Sequence, residues 1–164
     1  MQPIRIVAEV EEYEHFNELP PNEQQLIHAA QKVASAAYAP YSGFYVGAAL
    51  LLEDGTMVSG SNQENVAFPS GICAERTAMF WAGANYPGKA IVKMAIYAQS
   101  EDFLVETPVY PCGSCRQVMS EYERIGGQAI RILMVAATGK THAVNGLINI
   151  LPVAFDADNL KRQK

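Results

Sequence analysis

Two short stretches carry all three cysteines of the 164-residue chain: Cys73-Ala74-Glu75-Arg76 and Pro111-Cys112-Gly113-Ser114-Cys115-Arg116. The C-x-x-C step lets two sulfurs reach one tetrahedral ion, and Cys73 adds a third thiol from elsewhere in the chain. Three protein ligands are what a catalytic zinc keeps, with its fourth position open to water. Glu75, two residues after a ligand, can approach that open position without ligating. A carboxylate there can take a proton from water and hand it to a substrate nitrogen, first as general base and then as general acid. A closed structural site would need a fourth ligand, and none of His15, His28 and His142 has ligand spacing to a cysteine.

Three thiolates around a divalent cation leave a net negative charge, which works against the acidity that makes zinc-held water useful near neutral pH. Two features offset this. Each cysteine motif opens a helix, so peptide dipoles and free N–H groups face the sulfurs. Arg76 and Arg116 stand beside the ligands in sequence, and guanidinium N–H groups can bond thiolate sulfur. Charge tuning is assigned to Arg76 above all; a surface ion pair is the plain alternative for either arginine.

The elements that would position these groups follow from hydrophobic period and turn signals. Ile4, Ile6, Ala8 and Val10 alternate, predicting a strand over residues 4–12, followed by an acidic, solvated stretch over 11–17. Asn22 and Gln25 resemble a capping box that opens a helix bearing Leu26, Ile27, Ala30, Val33, Ala34 and Ala37, which stops before Pro40. Strands over 45–52 and 56–61 flank the hairpin signal Asp54-Gly55, and Gly47 inside the first marks a close approach of backbone or ligand. A polar loop spans 62–70, and a helix runs from Cys73 to Ala84 before the break at Asn85-Tyr86-Pro87-Gly88. Residues 92–98 read as a strand, 100–109 as a loop, and Cys112 opens a helix that stops at Gly126-Gly127. Residues 129–136 read as a strand, 138–142 as a turn, 144–151 as a short last helix, and 156–164 as a polar tail. Strands alternating with helices predict a layered α/β domain, and the hairpin requires a mixed sheet.

A chain of this length fits one domain, and 49% hydrophobic with 18% charged residues is ordinary for a globular protein. Twelve basic residues against 17 acidic ones give a net charge of -5, the wrong sign for gripping a phosphate backbone, so no nucleic-acid partner is expected. No apolar run approaches the ~20 residues of a spanning helix, and no signal-peptide layout opens the chain, so no membrane partner is expected either. An odd cysteine count rules out a pure disulfide framework, and a reducing cytoplasm is the expected compartment.

A metal ligand, one spacer, glutamate and a later P-C-x-x-C form the pattern of zinc deaminases, here with cysteine in place of the histidine. Further motifs accompany it: Ala37-Tyr38-Ala39-Pro40-Tyr41-Ser42, Phe44-Tyr45-Val46-Gly47-Ala48-Ala49, Asn62-Gln63-Glu64-Asn65 and the closing Leu151-Pro152-Val153-Ala154-Phe155. From about residue 36 to residue 155 the chain resembles the small, homotetrameric, three-cysteine cytidine deaminases. The resemblance implies a three-layer α/β/α cytidine deaminase-like fold with a mixed sheet. It implies a deaminase domain over 22–156, behind an N-terminal extension (1–21) with an added strand and ahead of a polar tail (157–164).

The resemblance also implies zinc held by Cys73, Cys112 and Cys115, with Glu75 as the catalytic proton carrier. Phe44 would line the pyrimidine pocket, Asn62 and Glu64 would hold the ribose hydroxyls, and the Ala74 backbone would meet the base carbonyl. Phe68 and Phe155 match positions that reach a neighbouring subunit's site. The implied reaction is hydrolytic deamination of cytidine and 2'-deoxycytidine in pyrimidine salvage. Competing expectations are a deaminase of another aminopyrimidine nucleoside, such as a blasticidin-type antibiotic, and a non-enzymatic, zinc-stabilised interaction module with a closed site. A deaminase that edits polynucleotides fits the acidic balance less well. The departures from the family pattern are the long N-terminal segment, Ser61 and Gln63, and none of them removes a catalytic group.

Overall fold

Alternation along the central strands decides the layering. In β2 (Phe44–Leu52), Ala48, Leu50 and Leu52 face one side of the sheet and Ala49 the other. In β4 (Ile91–Ser100), Met94 and Ile96 oppose Ala95 and Tyr97, and in β5 (Arg131–Val135), Ile132 and Met134 oppose Leu133 and Val135. A sheet apolar on both faces must be covered on both. Helix α1 (Pro21–Ala34) covers one face with Leu26, Ile27, Ala30 and Ala34. Helices α2 (Ala74–Asn85) and α3 (Gly113–Gly126) cover the other with Ala78, Met79, Ala82, Cys115 and Met119. The result is the expected three-layer α/β/α arrangement, seen in a computed structural model that describes residues 1–155 and Leu160. The polar tail expected over 157–164 lies outside the described residues apart from Leu160.

The sheet has six strands, adding β1 (Glu11–Tyr13), β3 (Met57–Ser61) and β6 (Thr141–Asn145), in the order β1-β6-β5-β4-β2-β3. Only β4 and β5 are parallel, joined by the α3 crossover; every other pairing is antiparallel, so the sheet is mixed as expected. Two glycines let helices approach the sheet closely. A Cβ on Gly47 would lie 2.0 Å from the Ala30 carbonyl oxygen of α1, and one on Gly60 2.6 Å from the Ala78 nitrogen of α2. The close approach foreseen at Gly47 is therefore that of a helix backbone.

Several expectations need correction. Helix α1 starts at Pro21 with Pro20 at its N-cap and no side-chain cap, so the Asn22/Gln25 capping box does not form. Proline in the first turn has no N–H to leave unpaired, and it sets the start instead. The helix also ends at Ala34, short of Ala37. Residues 4–10 form no strand, and Ile4 is 90% exposed. The N-terminal strand is instead β1, inside the stretch read as solvated. Its partner β6 lies where a turn and a helix were expected, and of that helix only a 3₁₀ turn at Leu147–Asn149 remains.

The reason is that the acids of β1 have distant partners. Arg131 of β5 donates to both carboxylate oxygens of Glu11 at 2.7 Å, while Lys140 and His142 approach Glu12 at 3.2 and 2.8 Å. The hydrogen bond from Arg131, joined by one from the Tyr13 hydroxyl, holds the Glu11 carboxyl at about 2, well below its usual 4.5. Folding gains from this pair above pH 4.5, where the unfolded carboxyl is ionised, and the gain is lost as pH falls toward 2. We therefore expect Glu11→Gln to lower Tm by a constant amount above pH 5, with the gap closing between about pH 4.5 and 2; a pH-independent gap in thermal melts would refute this. Gly47→Ala should force α1 off the sheet and cost about 1–3 kcal/mol in denaturant melts, and an unchanged midpoint would contradict the packing.

Candidate metal centre and active-site cavity

Cys73 is the N-cap residue of α2, Cys112 is the N-cap residue of α3, and Cys115 sits in the first turn of α3. Neither N-cap side chain caps the backbone N–H groups of its own helix, which leaves both sulfurs to a common centre. The Cys73 and Cys112 sulfurs are 4.0 Å apart, those of Cys112 and Cys115 are 3.4 Å apart, and all three lie within 4.8 Å of one another. Zinc bound to sulfur at ~2.3 Å in a tetrahedron spaces its sulfurs about 3.8 Å apart, so the donor set fits a zinc ion in both type and spacing. No fourth cysteine, histidine or carboxylate joins the cluster among the described residues. The histidines are used elsewhere: His15 caps a 3₁₀ turn, His28 pairs with Gln31, and His142 with Tyr110 and Glu12. The closed four-ligand interaction module is therefore not favoured.

Electrostatics around the sulfurs are strongly biased. Arg76 Nη2 donates to the Cys73 sulfur at 3.7 Å, and the Arg76 Nε is buried without a hydrogen-bond partner. The hydrogen bond from Cys115, with help from Arg76, holds the Cys73 thiol far below its usual 9, at about 5. The same contact, together with burial, pushes Cys115 up. A divalent cation among the three sulfurs would favour the thiolate form of each. Arg116 does not share in this. Its Nε donates to the Pro111 carbonyl at 2.7 Å and its Nη1 to the Ile150 carbonyl at 2.8 Å. The sulfur-bonding role considered for Arg116 is thereby corrected: the guanidinium is taken up by backbone and clamps the loop that presents Cys112.

Beside the cluster opens a cavity of about 460 Å³, lined by Phe44, Asn62, Glu64, Cys73, Ala74, Glu75 and Cys112 among others. Glu75 is 5% exposed, and burial raises its carboxyl above the usual range. Asn62 follows β3 and locks onto the start of β2: its Oδ1 accepts from the Val46 N–H at 2.8 Å and its Nδ2 donates to the Phe44 carbonyl at 3.0 Å. One amide N–H and one acceptor lone pair remain for a ligand. Glu64 accepts from the Ser42 hydroxyl and from the Tyr41 and Ser42 backbone N–H groups at 3.0 and 3.3 Å. These bonds, the Ser42 hydroxyl foremost, hold its carboxyl below the usual range.

Phe68 lies apart, 78% exposed, on an adjoining cavity of about 440 Å³ that shares Ser42, Asn62, Glu64 and Cys73. Phe155 lines neither cavity; it is 63% exposed and held by backbone bonds to Gln117. Sequence reasoning missed Ser42, Val46, Ile96, Val109 and Tyr110, which also line the site cavity. Val46 and Ile96 carry only a core signal, but Tyr110, a polar aromatic two residues before a ligand, could have been noticed.

A mixed sheet with two helices starting at one sulfur cluster, and a buried carboxylate beside it, defines a zinc-dependent deaminase class. The family model described as the cytidine and deoxycytidylate deaminase zinc-binding region matches residues 20–127. A cytidine deaminase of Halalkalibacterium halodurans is 45% identical over 98 residues, 60% of this chain and 70% of the relative. One of Mycobacterium tuberculosis is 36% identical over 137 residues, 82% of this chain and 90% of the relative. The crystal structure of cytidine deaminase from Burkholderia pseudomallei is similar with a TM-score of 0.69 at 37% identity, covering 80% of this chain and 98% of that one. The chain belongs to the cytidine and deoxycytidylate deaminase family.

Removing the most exposed of the three sulfurs tests the ligand set. Cys112→Ala should purify with well under one zinc per chain by elemental analysis and melt at lower temperature. Stoichiometric zinc in that variant would rule out the three-thiol site.

Proposed function

We propose that this protein hydrolyses cytidine and 2'-deoxycytidine to uridine and 2'-deoxyuridine with release of ammonia. The observation that carries this reading is the three-sulfur cluster at the edge of one cavity with buried Glu75 and the pair Asn62 and Glu64. Cys73, Cys112 and Cys115 would hold zinc, which at such sites brings the pKa of water toward ~7 and so supplies the nucleophile. Glu75 does the proton work. It accepts one proton from water as the oxygen bonds to C4 of the ring, and passes it to N3. It then delivers the second to the exocyclic amine, which leaves as ammonia when the C4–N bond breaks. A buried carboxylate with raised proton affinity suits both halves of that task. Arg76, bonded to the Cys73 sulfur, offsets the negative charge of the thiolates.

The remaining polar capacity of Asn62 and Glu64 fits ribose hydroxyls, with Phe44 against the pyrimidine and the Ala74 backbone at the base carbonyl. An ionised Glu64 in the cavity repels a phosphate, which supports a nucleoside over a nucleotide. The reading extends to a homotetramer acting in cytoplasmic pyrimidine salvage, with Phe68 and Phe155 reaching a neighbour's site; their exposure supports such packing. Within the chain, residues 22–156 would form the deaminase domain and residues 1–21 an extension.

The decisive assay follows loss of cytidine absorbance with purified, zinc-loaded protein, run beside adenosine, cytosine and deoxycytidine monophosphate. Glu75→Gln should keep fold and zinc while losing about 10²–10⁴-fold or more in kcat. Near-normal turnover of cytidine by that variant would overturn the assignment.

A further inference from the structure

Tyr110 lines the site cavity together with Phe44, Ile96 and Cys112. Its hydroxyl lies 2.6 Å from His142 Nδ1 in β6, and His142 Nε2 lies 2.8 Å from Glu12 Oε2 in β1. The Glu12 carboxylate takes the proton-bearing side of the imidazole, which fixes the N–H on Nε2. In the neutral imidazole Nδ1 then offers only a lone pair, and the Tyr110 hydroxyl is the donor to it. Hydrogen bonds from His142 and from Lys140, 3.2 Å from the same carboxylate oxygen, hold the Glu12 carboxyl below its usual range at the end of the chain.

Tyr110 is held from two directions. Its hydroxyl is tied to His142, and the following residue, Pro111, has its carbonyl clamped by Arg116 at 2.7 Å. The ring therefore has little freedom to swing out of the cavity or to collapse into it. A wall immobilised before the ligand arrives spares the ordering cost that a loose aromatic would pay on binding. The hydroxyl faces β6, so the ring is what remains for the cavity.

We propose that Tyr110 is a substrate-contacting wall of the nucleoside site, and that His142 and Glu12 are positioning residues that hold its ring. The N-terminal strand β1 is then a working part of substrate affinity through Glu12. The proposal rests on the cytidine deaminase reading and adds to it a determinant of KM. A purely structural relay would merely hold β1 on the sheet, a role already served by the pairing of Glu11 with Arg131 of β5.

The test is steady-state kinetics of cytidine deamination with the full-length, zinc-loaded protein, with zinc content and Tm measured for every variant. Tyr110→Ala should raise KM about tenfold or more with zinc retained. Tyr110→Phe and Glu12→Leu, which keep the ring and the side-chain volume respectively but remove a hydrogen-bonding group, should each raise KM by about two- to fivefold with a much smaller change in kcat. Both cut the same chain, so the double variant should be no worse than Tyr110→Phe alone. Unchanged KM in Tyr110→Phe and Glu12→Leu, or KM effects that multiply in the double variant, would overturn the positioning role. An unchanged KM in Tyr110→Ala would remove Tyr110 from the substrate wall. A wild-type protein without cytidine turnover would instead bring down the functional reading itself, and the proposal with it.

Discussion

Three sulfurs from positions as far apart as Cys73 and Cys112 must come within 4.8 Å of one another, and much of the architecture serves that requirement. Two helices have to begin at the same place, on the same face of the sheet, with their free N–H ends turned toward the sulfurs. The β4-α3-β5 crossover places one helix start beyond the end of β4, and the packing of α2 against Gly60 of β3 places the other. The cluster is therefore only as well defined as the helix-to-sheet packing beneath it. Cys115 and Ala74, both fully buried, belong to the core and to the site at once.

Burial and hydrogen bonding push the two carboxylates of the cavity in opposite directions. Glu75 lies in the interior beside ionisable thiols, so its proton affinity rises. Glu64 lies at the surface and collects donors from Ser42 and the Tyr41 backbone, so its affinity falls. One becomes suited to carrying protons and the other to remaining a fixed acceptor for hydroxyl groups. On the proposed reading the same residue type would serve two ends of one substrate, because the chain places the two in different dielectric surroundings.

The N-terminal segment shows how charge rather than apolar pattern can build a strand. β1 has no fully buried residue, Tyr13 packing only partly on the core; besides its ladder to β6 it is held by Arg131, Lys140 and His142, and by the Glu9 N–H donating to Asn149. Its pairing with β6 places Glu12 opposite His142, and through His142 it reaches the cavity wall at Tyr110. An edge strand of three residues thus comes into communication with the site.

What was legible in the sequence was local. C-x-x-C spacing, a glutamate two residues from a thiol and a proline before a cysteine are short-range patterns whose chemistry depends on bond lengths more than on context. The two-faced apolar runs of β2, β4 and β5 were legible for the same reason, since alternation follows from the pleat. The alternation of residues 4–10 misled, because a period of two predicts a strand only where a partner exists to cover one face. β6 escaped notice because His142 interrupts its short apolar pattern, and it forms only once Gly139 turns the chain back onto β5. Arg76 and Arg116 look alike in sequence, yet the fold sends one to a sulfur and the other to backbone carbonyls. The residue types of the metal site and its acid were thus determined by the sequence itself. The tertiary structure alone decided which distant charges pair, which arginine meets sulfur and that Tyr110 lines the cavity, because each depends on partners brought together across the sheet.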